Sequence, residues 1–120
     1  MKNSLTIVLG ICIIFLASCQ TKNVTIKNES PNHQVKVVIT AMQKGVMNPW
    51  KVDMAVKAYD FKEGHLAFEL QTSEVNKETV KFDWKDDKNC IITCDLSGGA
   101  PRKFQLIADA GQVQLAEVNP

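Results

Sequence analysis

The chain predicts an all-β domain, an antiparallel β-sandwich of about seven or eight short strands. Three observations carry the prediction. Apolar and polar side chains alternate with a period of two from Val24 almost to the end of the chain. Clusters of turn-forming residues interrupt that alternation roughly every 8 to 15 residues. Apolar residues at helical spacing hardly occur. A small closed β-barrel is the alternative that the same pattern allows.

The elements follow in order. Val24 and Ile26 alternate with Thr25 and Lys27, and Glu29-Ser30-Pro31-Asn32 ends that strand. Val35, Val37, Ile39 and Ala41 share one face of the next, before turn signals at Lys44-Gly45 and Asn48-Pro49. Trp50, Val52, Met54, Val56 and Ala58 then alternate with Lys51, Asp53, Ala55, Lys57 and Tyr59, the cleanest strand pattern in the chain. Lys62-Glu63-Gly64 predicts a hairpin into a strand with Leu66, Phe68 and Leu70 on its inner face. Val80, Phe82 and Trp84 form another set, and a polar tip from Lys85 to Asn89 leads into Cys90, Ile92, Cys94 and Leu96. Ser97-Gly98-Gly99-Ala100-Pro101 is a turn by composition. Phe104, Leu106 and Ala108 alternate next, and Ala110-Gly111-Gln112 opens a last short strand with Val113 and Leu115. Only residues 72–79, with Ser73 as a cap, have room for a peripheral helical turn.

Strand count and turn interval favour an immunoglobulin-like arrangement of the sandwich. The inter-sheet Cys…Trp…Cys pattern of immunoglobulin domains is missing, because Cys90 and Cys94 follow both tryptophans. As a strand, the run Cys90-Ile91-Ile92-Thr93-Cys94 holds its ends roughly 13 Å apart. A disulfide needs Cα atoms within about 7 Å. Two reduced, buried thiols are the preferred reading, and a bridge would require a helical turn or a tight bulge there.

Composition narrows the function. At roughly 100 to 200 residues per domain, a chain of 120 residues is one domain. Its 45% hydrophobic content is too high for a disordered chain, and a net charge of +1 excludes nucleic-acid binding by bulk electrostatics. Nucleophile-elbow, phosphate-cradling and paired-histidine zinc motifs are absent, so no catalytic residues, cofactor or metal are expected. His33 and His65 sit at turn edges and lack a short metal-binding spacing to Cys90 and Cys94. The acidic tip around Asp83, Asp86 and Asp87 lacks the alternate-position ligands and glycine of a calcium loop, and reads as a solvated hairpin. Trp50 and Trp84 fit the inward faces of their strands. Tyr59 points outward near Phe61, and Arg102 and Lys103 follow a flexible glycine pair. These four residues are the expected interaction surface.

The first 20 residues carry the most specific signal. Lys2 precedes an apolar run over residues 5–16, followed by Ala17, Ser18 and Cys19. This is the anatomy of a secretory signal peptide. The apolar run is shorter than the roughly 20 residues that a membrane-spanning helix needs. Leu16-Ala17-Ser18-Cys19 resembles the lipobox of bacterial lipoproteins. The resemblance implies cleavage before Cys19 and acylation of its sulfur. The expected divisions are a signal peptide over residues 1–18, a lipidated cysteine and tether over 19–23, and one β domain over 24–120.

In Gram-negative lipoproteins an Asp after the cysteine directs inner-membrane retention. Gln20 stands here, so the resemblance implies the outer membrane. The stretch Gln20-Thr21-Lys22-Asn23 also lacks the acidic cluster of surface-export tags, which implies the periplasmic face. The functional expectation is a membrane-anchored, non-catalytic β domain that binds a protein or an envelope component. A lipocalin-like carrier of a small apolar ligand is one alternative. The other is an inhibitor of an incoming hydrolase, because Ser97-Gly98-Gly99-Ala100 resembles the Ser-Gly loop of periplasmic lysozyme inhibitors.

Overall fold

The computed structural model describes residues 21–118, so Cys19 and the segment before it lie outside the described residues. Eight strands follow one another: β1 (Lys22–Glu29), β2 (Val35–Gln43), β3 (Trp50–Ala58), β4 (Gly64–Leu70), β5 (Val80–Trp84), β6 (Asn89–Cys94), β7 (Arg102–Asp109) and β8 (Gln112–Val118). Because β1 begins at Lys22, residues 22 and 23, expected in the tether, belong to a strand. The period of two is obeyed throughout. Val35, Val37, Ile39 and Ala41 are buried on β2, and Trp50, Val52, Met54, Val56 and Ala58 on β3.

Strands β1 to β4 form one antiparallel sheet in chain order, and β5 to β8 form the other. The all-β sandwich is as the sequence predicts, but the immunoglobulin-like strand order is not. That order moves strands between sheets repeatedly. Here residues 71–79 alone connect the two sheets, while the other links are short enough for each strand to pair with its successor. The closed barrel is not found either. No ladder joins β4 to β8 or β1 to β5 among the described residues.

Side chains fasten those open sides instead. At the β4–β8 side, a Cβ placed on Gly64 would lie 2.7 Å from Val113 Cγ1, so only glycine permits the approach. At the β1–β5 side, Trp84 Nε1 donates to Asn28 Oδ1 at 2.7 Å, and the Asn32 amide donates to Asp87 Oδ1 at 2.9 Å. Between the sheets lie Ile39, Met54, Leu70, Ile92, Phe104 and Leu106, all essentially solvent-free. Burying each such side chain contributes about 1.5–3 kcal/mol.

The register defines two ends. At the entry end, where the chain joins the sandwich, Lys22 pairs with Gln43, Trp50 with Leu70, Val80 with Cys94, and Lys103 with Val118. At the far end, Val35 pairs with Ala58, Trp84 with Cys90, and Asp109 with Gln112.

Residues 71–79 cross the entry end from the β4 side to the β5 side without a helix; where the sequence left room for a helical turn, the Thr79 and Val80 amides bond the Asn76 carbonyl at 3.2 and 3.1 Å in a single turn. Crossing a four-stranded sheet takes about 15 Å, three strand spacings. A helix of these few residues rises only ~12 Å, whereas an extended chain reaches twice that. The segment turns on Asn76, whose Oδ1 accepts from the Glu78 and Thr79 amides at 2.8 and 3.0 Å. Its Val75 is buried and closes the base of the core.

Cys90 and Cys94 are free and buried on β6, on one face with Ile92 between them. Burial pushes the Cys90 thiol up to about 12 and the Cys94 thiol up to about 11.

Candidate functional site

The residues expected to form one interaction surface lie at opposite ends of the sandwich. Tyr59 and Phe61 follow β3 at the far end. Tyr59 is 38% exposed, and its ring centroid lies 5.1 Å from that of Phe61, which packs against the core. Its backbone is left-handed, at φ 50°, a conformation that costs a non-glycine residue roughly 1–2 kcal/mol. The Phe61 amide bonds the Ala58 carbonyl at 2.8 Å and makes the turn that presents this aromatic pair.

Arg102 and Lys103 begin β7 at the entry end, and the Arg102 guanidinium is not free for a partner. Its Nε and Nη2 donate to the two carboxylate oxygens of Glu117 at 2.8 Å each. Its Nη1 donates to the Glu69 carbonyl, an edge group of β4 that the ladder leaves open. The guanidinium carbon also sits 5.4 and 5.6 Å from the ring centroids of Phe68 and Phe104, which stack on each other. The bond to Arg102 holds the Glu117 carboxyl below its usual range. Arg102 is therefore a clamp between sheets. Lys103 remains exposed.

The other expected groups are also accounted for locally. His33 and His65 are exposed beside Glu29 and Glu63. Asp86 Oδ1 accepts from the Lys88 and Asn89 amides at 2.7 and 2.8 Å, bonds that lower its pKa and close the β5–β6 hairpin. Among the described residues no three His, Cys, Asp or Glu side chains gather to hold a metal. Ser97 Oγ accepts from the Ser73 amide at 3.1 Å, so this residue braces the connection between sheets.

Sequence reasoning placed a turn over residues 44–49 and missed the apolar pair at its tip. Val46 and Met47 at its tip are 81% and 88% exposed, more than any other large apolar residues described. The signal was available, since two adjacent apolar residues inside a turn break the alternation. Two open depressions of about 300 and 390 Å³ adjoin this end, one lined by Met42, Lys44 and Lys51, the other by Lys22, Trp50 and Val75. A third, of about 440 Å³, lies on the outer face of the first sheet around Thr25, Thr40 and Ala67.

Among the described residues no helix is long and apolar enough to cross a membrane. No protein-family model matches the chain, and no curated protein or solved structure matches it significantly.

Proposed function

We propose that this chain is a bacterial envelope lipoprotein, lipidated at Cys19, whose non-catalytic β-sandwich presents its far end to a protein or another envelope component. The observation that carries the reading is Leu16-Ala17-Ser18-Cys19 at the end of an apolar run, three residues before β1 begins. One acyl chain holds a protein only reversibly, and two or more hold it stably. A multiply acylated cysteine therefore anchors this domain without a membrane-spanning helix.

The short leash sets the orientation. Gln20 and Thr21 alone separate Cys19 from β1, so the entry end stays within roughly 11 Å of the leaflet. Loops at the far end, including the exposed Tyr59, then point away from the membrane. Gln20 supports the outer membrane as the location, and the lack of an acidic cluster in Gln20-Thr21-Lys22-Asn23 supports its periplasmic face.

The filled core weighs against a carrier, because Phe104, Met54 and Ile92 occupy the space that an apolar ligand would take. An inhibitor reading is weakened by the position of Ser97, whose loop lies at the entry end and braces the chain instead of projecting from it.

Mass spectrometry of the protein purified from membranes tests the anchor. An amino-terminal Cys19 carrying acyl chains is expected, and Cys19→Ser is expected to shift the protein from the membrane to the soluble fraction. An unmodified amino terminus at any other residue overturns the reading.

A further inference from the structure

We propose that the tip of the β2–β3 loop, Val46 and Met47, is a second membrane contact that enters the leaflet holding the anchor and fixes the tilt of the sandwich. The proposal rests on the lipidation reading above and adds the tilt, which a leash that keeps one end of the sandwich near the leaflet leaves open.

The two side chains are held outward by a built loop. Gln43, itself buried, donates from Nε2 to the Asn48 carbonyl at 2.9 Å and to the Val46 carbonyl at 3.4 Å. The Asn48 amide bonds the Gly45 carbonyl at 3.2 Å, and the Asn48 side chain bonds the Lys44 carbonyl. Gly45, at φ 89°, supplies a backbone conformation that side chains rarely adopt. An ordered polar frame thus displays two apolar side chains at one point. Adjacent exposed apolar residues mark contact sites, whereas scattered single ones need no explanation.

The register says what covers them. Lys22 pairs with Gln43, so the chain leading back to Cys19 and the loop leading on to Val46 leave the same end of the sheet, side by side. Cys19 is three residues before Lys22, and Val46 is three residues after Gln43. A span of three residues reaches at most about 11 Å. Lipid at Cys19 therefore brings the leaflet to the tip.

Charge agrees. Lys22, Lys44 and Lys51 flank the loop, and residues 43–52 contain no Asp or Glu; Glu69 shares the depression beside Lys44, and Glu74 the one beside Lys22. Cations at headgroup depth around an apolar tip suit an anionic membrane surface.

The test uses the full lipidated protein in vesicles of phosphatidylethanolamine and phosphatidylglycerol, with Met47→Cys carrying an environment-sensitive fluorophore. Lys62→Cys at the far end carries the same label as the reference. Cys90 and Cys94 are buried and stay unlabelled. The Met47→Cys label is expected to emit at shorter wavelength and to be quenched several-fold more by spin-labelled lipid than the Lys62→Cys label. Adding Val46→Asp is expected to return its emission toward that of the reference. Equal, water-like emission at both positions, in protein whose acylated Cys19 is verified by mass, overturns this proposal and leaves the anchor standing. A blue shift without lipid quenching also overturns it, because a protein surface then covers the tip. Absence of acyl chains at Cys19 overturns the anchor instead.

Discussion

Single residues carry local strain and local solutions in this chain. The β7–β8 hairpin turns on Ala110 and Gly111, at φ 51° and 75°, between the paired Asp109 and Gln112. Two positive φ values in a two-residue loop make a type I′ turn, whose favoured first residue is Asn. Ala110→Asn is expected to stabilise the fold by about 0.5–1 kcal/mol, read as a higher urea midpoint at unchanged slope. At the β1–β2 hairpin, also at the far end, Ser30 is fully buried with its hydroxyl bonded to Asn32 Oδ1 at 2.8 Å, and it accepts the Val35 amide at 3.0 Å. Serine in a turn reads as ordinary loop composition. Its burial followed from the fold of the turn over the core and was not legible in the residues.

Between elements, the fastening of one sheet to the other depends on few contacts, and Arg102 concentrates them. It joins Glu117 of β8 to the edge carbonyl of Glu69 on β4 and covers the Phe68–Phe104 stack. Arg102→Ala is expected to cost about 1–3 kcal/mol, measured by urea denaturation. Arg102→Lys is expected to recover only part of that loss, since a point ammonium cannot fork onto two carboxylate oxygens while also reaching a carbonyl. The alternation predicted the inward faces of these strands, and β2, β3, β6 and β7 bury the predicted residues. It predicted no pairing across the open sides, because the Gly64–Val113 approach joins strands far apart in sequence.

For the molecule as a whole, the buried thiols link stability to alkaline pH. The folded-state values, about 12 for Cys90 and about 11 for Cys94, stand above the ordinary thiol value of 9.0. The unfolded chain therefore loses these protons first as pH rises. Stability is fully present below about pH 9 and declines from there up to about 11 for Cys94 and about 12 for Cys90, by on the order of 1 kcal/mol per thiol at about pH 10. Urea midpoints at about pH 8 and about pH 10 check this. The double variant Cys90→Val, Cys94→Val is expected to flatten the difference, leaving only the part due to other alkaline groups.

The sequence by itself determined the all-β class and nearly every inward-facing residue, and it favoured two unbridged cysteines, because a period of two and β-branched runs are local properties of the chain. It also contains the lipobox-like motif, a signal read residue by residue. Tertiary structure decided the rest. Strand order depends on which edges meet after both sheets form, and the loop over residues 71–79 spans the entry end because β4 and β5 lie on opposite sides. Tyr59 and Arg102 look alike as surface residues in a linear reading. The register sends one to the far end as an exposed ring and turns the other into an internal clamp, since the ladder alone sets which end of the sandwich each residue reaches.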